Sequence, residues 1–118
     1  MYTVALFKNQ EGDYYVHYDN GKDSALTKVR LKEQDIECLG YKFVSCIVTT
    51  NNVLALKTRL KFRIQELRAL KPEVNYYGYD ESLVMQIGLL TSRLMRRGVE
   101  ITDEIALQCY DIRNSKMA

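Results

Sequence analysis

The chain has 118 residues, 47% of them apolar and 27% charged; this is ordinary globular composition, long enough for one core, and it reads as one domain over 1–118. One proline and six glycines leave no room for a linker or a low-complexity tract. No apolar run approaches the roughly 18–20 residues that cross a bilayer, and the opening MYTVALFKNQ lacks the basic and apolar regions of a signal peptide. The three cysteines, Cys38, Cys46 and Cys109, are odd in number and widely spaced. They suit reduced thiols in a cytoplasmic protein better than a disulfide framework or a metal cluster.

The first half reads with period two. Residues 2–8 alternate as a strand, and Asn9 to Gly12 suit a hairpin loop. Tyr14 to Tyr18 form a short aromatic strand, with Tyr14 and Tyr18 on one face and Tyr15 on the other. Asn20-Gly21 is the strongest hairpin signal, because both residues accept positive φ. A third strand is expected over 25–31, and residues 32–39 are open between helix and loop. Tyr41 to Thr49 are rich in β-branched and aromatic residues and read as the last strand.

The second half reads with period 3.6. Val53, Leu56, Leu60, Ile64 and Leu67 make one stripe of a long helix over about 53–71. Thr50 to Asn52 offer its cap and Pro72 stops it. A second helix, about 81–97, is expected to start at Asp80 with Leu83, Ile87, Leu90 and Leu94 inward, and to end at Gly98. A third, about 103–114, opens at Thr102 with Ile105, Cys109 and Ile112 as its inner face. The expected class is α+β: an antiparallel sheet of about four strands in 1–50, packed by the long basic helix, then a helical hairpin.

Charge is segregated. Residues 51–71 carry six cations, Lys57, Arg59, Lys61, Arg63, Arg68 and Lys71, against Glu66 alone. Residues 1–50 hold six cations and seven acids, and residues 72–118 five and seven, so the net +2 is distributed as −1, +5 and −2. With Leu60 inward, Lys57, Lys61 and Arg68 lie on one flank, Arg59 and Arg63 on the other, and Thr58, Phe62 and Ala69 face outward. Such a surface suits an acidic protein partner or a phosphate backbone, with Phe62 placed to stack on a base. A solvated helix face is the plainer reading.

Two further patches suit a partner or a second copy of the chain. Met85 and Leu89 project from the outer face of the second helix beside Ser92 and Arg96, where Gly88 and Ser92 give a small-xxx-small spacing. The third helix is the other candidate to cover them. Tyr76, Tyr77 and Tyr79 cluster between the first two helices, either as contact surface or as plugs of the core's end.

Helix, Arg-Gly-Val-Glu-Ile-Thr-Asp-Glu, helix is not a DNA-reading pair, since Glu100, Asp103 and Glu104 at its mouth repel phosphate. His17 is the only histidine, and no phosphate loop or nucleophile elbow is present. Tyr2 and Tyr15-Val16-His17 faintly resemble the two-strand opening of the GIY-YIG nucleases, over fewer than twenty residues. That resemblance implies a small, degenerate nuclease-like enzyme: His17 replaces the glycine after the second tyrosine, and no arginine stands where the family's catalytic helix carries one. The residues favour a non-catalytic interaction or regulatory protein without cofactor, metal or membrane, binding a protein partner or itself. A nucleic-acid-binding protein using helix 53–71 is the alternative.

Overall fold

The computed structural model describes residues 1–20 and 34–117. The expected strand over 25–31 and the Asn20-Gly21 turn fall on or run into positions outside the described residues. Among those described, the sheet has three strands, β1 (Tyr2–Lys8), β2 (Tyr14–Asp19) and β3 (Lys42–Thr49), in the order β2-β1-β3, both pairings antiparallel. Residues 34–38 form a short helical turn, within the segment 32–39 that the sequence leaves open. Three helices follow: α1 (Asn52–Ala69), α2 (Tyr79–Arg96) and α3 (Glu104–Met117). No helix among the described residues is long and apolar enough to cross a membrane.

Strand β1 is central, and its run Thr3 to Phe7 is buried throughout. A strand covered on both faces needs near-continuous apolarity rather than alternation. Val4 and Leu6 meet Val16 of β2 and Ala55 and Phe62 of α1. Ala5 and Phe7 point the other way, onto Ile36 of the helical turn, Tyr41 and Cys46. The pairing of β1 with β3 shifts between Leu6 and Phe7, which oppose Ser45 and Phe43, leaving Val44 as the extra residue. The alternation expected in β2 is present: Tyr14 and Tyr18 pack on the α1 side, whereas the Tyr15 ring lies 6.4 Å from Phe7 on the opposite face.

Helix α1 sits between two layers. Its stripe of Leu56, Leu60 and Ile64, flanked by Val53 and Leu67, packs on Ile87, Leu90 and Leu94 of α2 and Ala106 and Cys109 of α3. Phe62, expected outward, is 6% exposed and seals the sheet. It lies about 200° around the helix from Leu60 at roughly 100° per residue, and that side is where the strands are. Asn51 caps the helix, its side chain accepting from the Leu54 N–H at 3.1 Å. The last helical residue is Ala69, and Leu70 turns extended two residues before Pro72.

Two helix starts differ from expectation. Helix α2 begins at Tyr79 behind Gly78, whose φ of 89° needs glycine, and Asp80 lies inside the first turn instead of capping it. Helix α3 is capped by Asp103, not Thr102: one Asp103 oxygen accepts from Ile105 N–H at 2.9 Å and Ala106 N–H at 3.1 Å. Its inner face is Ala106 and Cys109, with Ile105 half-buried against the same core as expected and Ile112 exposed. The cause is close approach at Gly88, where an added Cβ would stand 2.7 Å from the Cys109 carbonyl oxygen and 2.9 Å from the Arg113 Cβ. The Gly88-Ser92 spacing is thus taken up by α3 within the chain. Gly98 follows α2 with φ 76°, the left-handed position expected of it.

Candidate functional site

The two buried faces of α1 leave its cations on two edges, the flank assignment expected from the helical period, but the edges differ. On the β2 side, Arg59 lays its guanidinium 3.8 Å over the Tyr18 ring, and burial pulls its pKa below the ordinary value. Arg63, with 21% of its side chain exposed, donates from one nitrogen to both oxygens of Glu66 at 3.0 and 2.9 Å. Arg63 is neutralised by Glu66, and Arg59 is half-buried against the ring.

Glu66, the one acid of the stretch, is 1% exposed. Its carboxylate also accepts from the Tyr79 hydroxyl at 2.9 Å and from the backbone N–H of Val16. One side chain therefore ties α1 to β2 and to the start of α2. Burial lifts its carboxyl pKa above the ordinary 4.5, and Arg63, Tyr79 and Val16 only partly oppose this. The Tyr79 phenol is pushed up as well, by burial first and then by the charge of Glu66. Sequence reasoning missed Glu66. Its signal was a lone acid three residues after an arginine in a cationic helix.

The opposite edge is open. Lys57, Lys61 and Arg68 are exposed and stand along one wall of a groove of about 400 Å³. Val99 and Ile101, both half-buried, give the groove its apolar surface over the buried Leu60, Ile64 and Leu94, and Glu100 and Asp103 line it from the α2–α3 connection. Among the described residues neither Lys57 nor Lys61 has an acid partner, and Arg68 reaches Asp103 only at 4.0 Å with 62% of its side chain exposed. Two unpaired lysines and an arginine on a long, exposed ion pair, beside a short apolar strip, can hold an amphipathic segment that carries acids.

The other expected contact residues are divided. Met85 and Leu89 are half-buried, and Arg96 is exposed. Tyr76 turns inward and accepts the Lys71 N–H on its hydroxyl at 3.0 Å, and Tyr79 is bound to Glu66. Only Tyr77 stands out fully, 91% exposed at a left-handed φ of 54°, with its N–H on the Asn75 side chain at 2.9 Å. The cluster is thus two anchors around one displayed ring. Tyr2 and Tyr15, which carry the nuclease resemblance, lie on opposite faces of the sheet: Tyr2 stacks on Tyr18 at 6.5 Å and Tyr15 meets Phe7. Comparison with known proteins finds no matching family model, no matching curated protein and no matching solved structure.

Proposed function

We propose that this is a small, non-catalytic interaction protein of the cytoplasm that binds an acidic, amphipathic segment of a protein partner in the groove between α1 and the α2–α3 connection. One observation carries the reading: Lys57, Lys61 and Arg68 stand in a row on an exposed edge beside Val99 and Ile101, and among the described residues Lys57 and Lys61 have no acid partner while Arg68 reaches Asp103 only at 4.0 Å. Apolar side chains of the partner would cover the half-buried Val99 and Ile101, and its carboxylates would meet the three cations. Electrostatic attraction would then speed encounter and fix register, with affinity coming from the buried floor.

Nucleic acid is the weaker alternative. Burial of Phe62 and engagement of Arg59 and Arg63 take away the stacking ring and two of the five cations that favoured it. Three phosphate contacts on duplex would give a log-affinity slope against log salt of roughly −2.7, at about −0.9 each. Self-association through Met85 and Leu89 has less surface to work with, because both are half-buried and Gly88 is taken up by α3. Titration with acidic amphipathic peptides and with oligonucleotides, read residue by residue, separates these partners.

A further inference from the structure

At the end of the sheet, on the β2 side of α1 and away from the cationic groove, lies a separate cleft of about 220 Å³. Its lining includes five tyrosines, Tyr14, Tyr15, Tyr41, Tyr76 and Tyr79, together with Asp13. The Tyr15 and Tyr41 rings stand 6.1 Å apart and tilted by 59°, which makes a corner rather than a stack. The hydroxyls of Tyr76 and Tyr79 are committed to Lys71 N–H and to Glu66, so these two residues are fixed in place.

The charge in and around the cleft is negative. Asp13 is held by Asn9, whose side-chain oxygen accepts the Asp13 N–H at 2.9 Å and whose amide donates to one carboxylate oxygen at 3.3 Å. The other carboxylate oxygen, Oδ1, is buried with no hydrogen-bond partner among the described residues. Burial first, and then the charges of Asp13, Glu66 and Glu11, push the Tyr41 phenol above its ordinary value. Among the described residues, Lys8 is the one cation on a lining ring, its ammonium 5.2 Å over Tyr14, and no described cation lies on the other four.

Aromatic faces beside a carboxylate recognise a soft, weakly hydrated cation. We infer that this tyrosine cleft is a binding site for an organic ammonium head group, of the kind carried by choline or by a methylated lysine side chain. The volume falls below the roughly 300–1,000 Å³ of drug-sized sites and suits a head group rather than a whole ligand. This site does not depend on the groove: either can be occupied without the other.

The test is a nuclear magnetic resonance titration of the full chain with choline and, separately, with the alcohol in which carbon replaces the ammonium nitrogen. Choline is expected to give saturable shifts on the rings of Tyr15, Tyr41, Tyr76 and Tyr79. The uncharged alcohol should bind at least about tenfold more weakly, the gap a desolvated cation–π site produces. Asp13→Asn should weaken choline severalfold, and Tyr41→Phe should retain it because the ring remains. A trimethyllysine peptide tighter than choline assigns the head group to a protein, and the reverse order assigns it to a small molecule; both uphold the site. Equal affinity for choline and the alcohol, or no saturable shift on these rings, overturns it. That comparison uses the wild-type chain alone, so it stands even if a variant fails to fold.

Discussion

Replacing Glu66 tests how the sheet and the helices are joined. Glu66→Ala orphans the Val16 N–H and the Tyr79 hydroxyl and removes one buried methylene, Cγ, with the carboxylate. Each orphaned donor costs at least about 1 kcal/mol once water reaches it, and the methylene about 0.8 kcal/mol. The expected loss is therefore about 3 kcal/mol, a large share of a typical stability of roughly 5–15 kcal/mol. Glu66→Gln should cost only about 1 kcal/mol. The amide keeps the shape and still accepts from Val16, Tyr79 can turn its hydroxyl to accept, and Arg63, partly exposed, can swing to water. The charge itself adds little, because burial outweighs Arg63 and lifts the carboxyl pKa; desolvation of buried pairs commonly has that effect. Urea denaturation of wild type and both variants, compared at a common m-value, measures the difference. If Gln proves as costly as Ala, the ion pair holds the junction and the hydrogen-bond account is wrong.

The same pair of proteins gives a pH dependence. A carboxyl raised in the native state binds its proton more tightly there than in the unfolded chain, so from about 4.5 up to the native value wild type loses stability relative to Glu66→Gln as the pH rises. The opposite trend would mean that Arg63 outweighs burial. Phe62→Ala should destabilise by about 3–5 kcal/mol and Leu60→Ala by about 2–5 kcal/mol, since both are buried on opposite faces of α1; a mild Phe62 variant by thermal or urea unfolding would put α1 back on the surface. Gly88→Ala gains up to about 1 kcal/mol of helix propensity, but its Cβ meets the Cys109 carbonyl at 2.7 Å. A net loss of about 1–2 kcal/mol is expected, within the usual range for overpacking, and a stabilised variant would show that α3 is not seated there.

The strands were legible because period two needs only local sequence: Tyr14, Tyr15 and Tyr18 fall on the faces that alternation assigns. Asn51 and Gly98 were legible for a similar reason, since caps depend on a few neighbouring residues. Helix α1 was half legible. One stripe of five apolar residues looked sufficient for one core, and the weaker second stripe of Ala55 and Phe62 was read as surface. A helix buried between two layers shows two such stripes, and only the tertiary arrangement tells a second one from an exposed aromatic. The split between Arg59 and Lys57 was invisible for the same reason: their flanks follow from the period, but the Tyr18 ring beneath one is set by the sheet. The start of α2 followed Tyr79, tethered to Glu66, rather than the better capping residue Asp80. The inner face of α3 turned toward Ala106 because Gly88 admits its backbone; no periodicity within α3 alone contains that.

The central claim is that the row of Lys57, Lys61 and Arg68 with its apolar floor receives an acidic protein segment. Backbone chemical-shift mapping of the labelled chain tests it most directly, using a helical peptide of alternating leucine and glutamate faces, its lysine counterpart, and single-stranded and duplex oligonucleotides. The account predicts saturable shifts at Lys57, Lys61, Ile64, Arg68 and Ile101 with the acidic peptide, weakened by salt and lost in the Lys61→Glu, Arg68→Glu double variant, whose fold should be intact because both side chains are exposed. Shifts on this edge with oligonucleotides and none with the peptide, or binding that survives the charge reversal, would contradict it.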